Sequence, residues 1–161
     1  MRIRPAAQTD AAACAAIYAP FVESSFISFE TEAPDAAEMA RRIAAYGESH
    51  AWLIAEASGQ VAGYAYASAH RARAAYASSC DVAVYVDPDH ARQGIGKALY
   101  EALFLLLKDK GLHAAFAGIA LPNPGSVGLH EAMGFTPVGI YREVGWKLGA
   151  WRDVGWWQRL L

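Results

Sequence analysis

The segment Asp81-Val-Ala-Val-Tyr-Val-Asp-Pro-Asp-His-Ala-Arg-Gln-Gly-Ile-Gly-Lys97 constrains this chain more than any other. A β-rich apolar run, Asp81 to Val86, is cut off by Asp87-Pro88-Asp89. Two glycines, Gly94 and Gly96, then open the clearest helical pattern, Gly94 to Lys110. Leu99, Leu103, Leu106 and Leu107 recur there at helical spacing and Gly111 closes the helix. The first turn of such a helix has N–H groups without intrahelical partners and a partial positive charge, so it attracts phosphate. Glycine lets the backbone approach the anion with no Cβ in the way. Arg92 and Lys97 add formal charge beside it. A P-loop is excluded, because Ala91 and Ala98 stand where it needs Gly and Ser or Thr. A dinucleotide fingerprint is excluded by Leu99, where it needs a small residue. The fragment alone leaves open an ordinary strand–loop–helix turn.

Periodicity elsewhere predicts an α/β chain. Ile3 to Pro5 opens as a strand. Thr9-Asp10 caps a helix over Ala11 to Ala19 that Pro20 stops or kinks, and Pro34-Asp35 opens a second, reaching about Tyr46 with Gly47 behind it. Ala51 to Ala57 and Val61 to Ser68 form a hairpin about Ser58-Gly59-Gln60, and His70 to Ser79 is a loop. Ala114 to Leu121 is a strand and Asn123 to Met133 a short helix. Thr136 to Val144 and Ala150 to Leu160 are strands joined at Trp146 to Gly149. The 161 residues, with no repeat and no low-complexity linker, are expected to form one domain over 1–161.

A second block, Asn123-Pro-Gly-Ser126-Val-Gly-Leu-His130-Glu-Ala-Met-Gly134-Phe135, follows the glycine segment. The two blocks together resemble those of the GNAT acetyltransferases. The leading Arg/Gln of the usual first motif is Ala91 here, with Arg92 and Gln93 following. Over nearly the whole chain the likeness is to the phosphinothricin and methionine sulfoximine acetyltransferase branch. It is carried by Ser28-Phe29-Glu30-Thr31-Glu32, Arg73-Ala74-Ala75-Tyr76 and, most specifically, Val144-Gly145-Trp146-Lys147-Leu148-Gly149-Ala150-Trp151-Arg152-Asp153-Val154.

That resemblance implies an α+β fold with a mixed, splayed sheet of about seven strands and about four helices. It implies acetyl-CoA as co-substrate, direct attack by an amine in a ternary complex, and a homodimer. Val84, Tyr85 and Val86 would offer backbone groups to the pantetheine arm. Arg92, Gln93, Gly94, Ile95, Gly96 and Lys97 would hold the diphosphate, and Asn123 and Ser126 would approach the thioester. The branch's glutamate base corresponds to Asp81, one methylene shorter, and its histidine to His130. Phe29, Glu30, Arg71, Ala72, Arg73, Tyr76, Asp81, Val82 and Ala83 would surround the acceptor, an arginine of the loop taking its carboxylate.

Two alternatives stay open on sequence: another acceptor, such as a polyamine or a peptide N-terminus, and a silent acyl-CoA-binding module. The net charge of −2 argues against nucleic acid. No apolar run is long enough to span a membrane, and Met1 to Pro5 lead into no signal-type apolar block. Two cysteines suit reduced thiols in the cytoplasm. The five histidines have no metal-ligand spacing.

Overall fold

A computed structural model describes residues 1–161. Its strands are β1 (Arg2–Pro5), β2 (Ala51–Ala57), β3 (Gln60–Ala69), β4 (Ser79–Val86), β5 (Ala114–Leu121), β6 (Thr136–Lys147) and β7 (Ala150–Leu160). Its helices are α1 (Ala11–Glu23), α2 (Ala36–Ser49), α3 (Ile95–Asp109) and α4 (Pro124–Ala132). The seven strands form one sheet in the order β1-β2-β3-β4-β5-β7-β6. Every neighbouring pair is antiparallel except β4 and β5, which α3 joins as a crossover. This is the mixed sheet with four helices that the family resemblance implied.

Alternation along the strands divides the apolar residues between two faces. On β2, Leu53 and Ala55 join Leu99, Leu103 and Leu107 of α3 in the larger core. Trp52 and Ile54 face the other way, against Cys14, Ile17 and Val22 of α1 and Met39 and Ile43 of α2. The β2 sequence is therefore continuously apolar, because both of its faces are covered. Cys80 and Val82 of β4 and Ala115, Ala117 and Ile119 of β5 likewise point at the α3 side. This leaves Asp81, Ala83 and Tyr85 of β4, and Phe116, Gly118 and Ala120 of β5, on the opposite face.

The largest departures from the predicted boundaries are three. Pro20 does not end α1, which runs on to Glu23. The helix survives the missing N–H because Tyr18 and Val22 are fixed in the apolar cluster on either side, and Ser24 N–H closes the end on Pro20 O. Helix α2 passes Gly47 to Ser49, with Asp35 as N-cap accepting from Glu38 N–H at 2.8 Å. Strand β6 continues to Lys147, so the hairpin turn shrinks to Leu148-Gly149, both at positive φ.

Candidate active site

The parallel pair β4–β5 holds for only three positions: Ser79 opposite Ala114, Cys80 opposite Ala115 and Asp81 opposite Phe116. Beyond Asp81 the strands separate. Val82 to Val86 keep β3 as their one neighbour, and Ala117 to Leu121 keep β7. A narrow cleft of about 70 Å³ enters the wedge between them, lined by Val82, Val84, Tyr85, Tyr100, Asn123 and His130 among others. The outward backbone groups of β4 in this wedge have no strand partner.

Strand β4 leads to the glycine turn. Gly94, the N-cap of α3, has φ 78°, a left-handed conformation that a Cβ would strain. A Cβ on Gly96 would stand 3.1 Å from the Leu129 side chain, so the loop packs tightly against α4. No backbone N–H from Arg92 to Lys97 hydrogen bonds within the chain; the first amide of the helix to find a partner is Ala98, on Gly94 O. Six consecutive free donors at a helix start, with the Arg92 and Lys97 side chains exposed beside them, make this turn suited to an anion.

His130 is buried on α4 and hydrogen bonded at both ring nitrogens. Nδ1 donates to Ser126 O at 2.7 Å, which leaves Nε2 to accept from the Tyr100 hydroxyl at 2.9 Å. Burial holds the imidazole below its ordinary pKa and Tyr100 far above its own, so this is a neutral pair. The Asn123 carboxamide oxygen caps α4 by accepting from Ser126 N–H, which leaves its amino group free toward the cleft. Sequence singled out Asn123, Ser126 and His130; Tyr100, hidden in the leucine pattern of α3, gave no signal.

Two larger cavities meet at Asp81. One, about 670 Å³, is lined by Phe29, Glu30, Asp81, Val82, Ala83 and Tyr85 with Tyr18, Tyr141 and Trp156. The other, about 540 Å³, is lined by Asp81, His70, Arg71, Phe116, Tyr141 and Trp156 with part of β6. Gly118 makes room for the first, because the Trp156 ring lies across it where a Cβ would stand 3.0 Å away. Burial raises the Asp81 pKa, and a hydrogen bond from His70 opposes that rise. Glu30 carries no free charge into the cavity. Arg42 binds it with two nitrogens, at 2.6 and 2.9 Å, and Tyr18 donates to it, so its pKa is lowered. Lys147 is buried and donates to Ser28 O at 2.6 Å and Glu30 O at 2.8 Å, pinning the loop after α1 to the terminal hairpin.

Of the predicted acceptor residues, Phe29, Glu30, Asp81, Val82 and Ala83 share the larger cavity, and Arg71 joins Asp81 in the second. Ala72, Arg73 and Tyr76 line neither, and the Tyr76 ring packs edge-on against His70.

A family model for the acetyltransferase (GNAT) domain matches residues 3–156. The chain belongs to the GNAT acetyltransferase family. This GNAT chain is 41% identical over 159 residues to the phosphinothricin N-acetyltransferase of Streptomyces viridochromogenes, covering 99% of this chain and 87% of that protein. It is 33% identical to the L-amino acid N-acyltransferase MnaT of Escherichia coli, covering 98% and 92%. Among solved structures, the GNAT phosphinothricin acetyltransferase of Sinorhizobium meliloti in complex with acetyl-CoA superimposes with a TM-score of 0.95. It is 34% identical, with 99% of this chain and 88% of that one covered. The free amides of the glycine turn and the split between β4 and β5 thus belong to a GNAT enzyme that uses acetyl-CoA. No helix of this GNAT chain is long and apolar enough to cross a membrane.

Proposed function

We propose that this chain transfers the acetyl group of acetyl-CoA to the amino group of a small amino acid or analogue, of the phosphinothricin, methionine sulfoximine or methionine sulfone type. The observation that carries this reading is the position of Asp81. It is the last residue paired across β4–β5, at the wall shared by both large cavities. The free amides of Arg92 to Lys97 hold the diphosphate, and the unpaired edge of β4 from Val84 to Val86 aligns the pantetheine arm in the wedge. The acceptor amine lies at Asp81, which takes a proton from the ammonium and frees its lone pair. Unpaired β4 amides in the wedge face the carbonyl as negative charge develops on its oxygen. His130, with Tyr100 and Asn123, lies on the coenzyme side, where the departing sulfur needs a donor; the Asn123 amino group is free for that, and a shift of the Tyr100 proton away from His130 would supply a second. Arg71 is the side chain of the second cavity suited to the acceptor carboxylate.

The same proposal makes the protein a cytoplasmic homodimer. Strand β6 is a sheet edge, and Val138, Ile140, Tyr141, Val144, Trp146 and Trp151 are exposed on it and its partner β7. An exposed apolar edge of this kind is a site for self-association. Both cysteines are free and buried, in keeping with a reducing compartment.

The test is purified protein with acetyl-CoA, a thiol-reactive dye and an acceptor panel: phosphinothricin, methionine sulfoximine, methionine sulfone, the common L-amino acids, polyamines and short peptides. Thiol release that depends on the amino-acid acceptors is the expected result. Release with polyamines or peptides alone would overturn the acceptor class, and binding of acetyl-CoA without release would overturn catalysis.

A further inference from the structure

His70 is assigned no role by the reaction described above. It lies one residue beyond β3 and two beyond Ser68, which pairs with Asp81 across the β3–β4 ladder, so His70 and Asp81 share a face. Its Nδ1 is 2.5 Å from Asp81 Oδ1. The ring is fixed on three sides: stacked on Phe116 at 4.4 Å between centroids, and edge-on to Trp156 and Tyr76. Asp81 Oδ2 has no partner in the chain and is not sealed off, and the same holds for His70 Nε2. A short carboxylate in a cavity wall is therefore gripped through one oxygen by a ring that cannot turn, while its other oxygen stays open.

We infer that His70 is the positioning residue for Asp81: its Nδ1–H holds Oδ1 and keeps the side chain ionised and aimed, with Oδ2 free to receive the acceptor's proton. The inference rests on Asp81 acting on the amine as proposed above. The ammonium gives one proton to Oδ2. The nitrogen lone pair forms the bond to the acyl carbon, the carbon–sulfur bond breaks, and its electrons leave on sulfur. The second nitrogen proton goes to that sulfur, and Asp81 returns its own to water. The hydrogen bond to Oδ1 favours the charged carboxylate against the burial that opposes it.

Several titratable groups surround this pair: Tyr141 lines both cavities with Asp81, and Tyr18, Tyr66 and Tyr85 line the larger one. Arg71 adjoins it in the second cavity, Cys80 precedes Asp81 on β4, and Tyr76 packs on the imidazole. Glu30 faces it across the larger cavity, neutralised by Arg42.

The decisive pair of variants is His70→Phe, which keeps a ring on Phe116 and removes the donor, and His70→Asn, whose amide places an N–H near Nδ1. With acetyl-CoA and the best acceptor, His70→Phe is expected to lower kcat about tenfold and to move the acid limb of the kcat/KM profile to higher pH. His70→Asn is expected to restore the limb to the wild-type position. A rise in acceptor KM with kcat and the limb unchanged would mean that His70 only shapes the wall, and would overturn the inference. Asp81→Ala, run alongside, separates the two failures. If it leaves turnover intact, the proposed base is wrong; if it abolishes turnover while His70→Phe matches wild type, only the positioning role is wrong. Imidazole ¹⁵N spectra of the wild-type protein, assigned against His70→Asn, give an independent readout should His70→Phe not fold. A proton resident on Nδ1 near neutral pH supports the role, and a neutral imidazole with its proton on Nε2 and Nδ1 bare overturns it.

Discussion

The ammonium of Lys147, near the end of β6, sits 2.6 Å from the backbone carbonyl oxygen of Ser28, more than a hundred residues earlier in the chain. It reaches Glu30 O as well, so one buried cation fastens the loop carrying Phe29 and Glu30 to the hairpin that forms the far wall of the cavity. Gly145 makes the same closure possible, because a Cβ there would collide with the Phe29 ring.

Lys147→Met removes the donor and leaves two carbonyls without partners. The expected cost is about 2 kcal/mol in urea unfolding, together with a several-fold rise in acceptor KM. The KM for acetyl-CoA should stay near wild type, since the glycine turn is remote from this fastening. An equal rise in both constants would show that the loop does not serve the acceptor alone.

Asp81→Ala is expected to reduce kcat about 100-fold or more while acetyl-CoA affinity is retained. In the wild-type enzyme activity should fall on acidification, since protonated Asp81 cannot take a proton. Burial sets that fall above the ordinary aspartate range. Steady-state rates over a pH series, paired with coenzyme binding by calorimetry, check both statements.

His130 makes stability depend on pH. Its folded pKa lies below the ordinary value of about 6.5, so between the two the unfolded chain binds more protons than the native one. Its contribution is complete above about 6.5 and is lost as pH falls toward the depressed folded value. Denaturant titrations should therefore show wild-type stability declining below that point, and a shallower decline in His130→Gln. Identical slopes would remove the linkage.

Gly94→Ala places a Cβ on a residue at φ 78°. The strain is about 1 kcal/mol, and it falls on the turn that presents the free amides. A raised KM for acetyl-CoA with acceptor KM unchanged is expected; a purely thermal effect, seen in melting but not in binding, would count against the turn as the diphosphate site.

Trp146→Glu puts a charge on the exposed apolar edge formed by β6. Sedimentation is expected to show a dimer for the parent chain, as proposed, and a monomer for the variant. A dimer persisting in the variant would locate the contact elsewhere.

Much of this molecule follows from local pattern. The strand Asp81 to Val86, the two glycines and the leucine spacing of α3 depend on residues close in sequence, so the glycine turn and its helix are legible from the residues themselves. The continuous apolar run of β2 and the cap at Asp35 are of the same kind. Pairings decided by which strands become neighbours are not legible in that way. Nothing near His70 in sequence marks it as Asp81's partner. That contact needs the β3–β4 register, the Phe116 ring from β5 and Trp156 from β7, and a shift of one residue would turn His70 to the other face. Tyr100 against His130, and Lys147 against Ser28, arise in the same way from distant segments brought together by burial. Sequence alone determined that a glycine-rich helix start follows a β strand, because backbone geometry there is local. The tertiary structure decided which side chains surround Asp81, because sheet register and core packing, both non-local, set those distances.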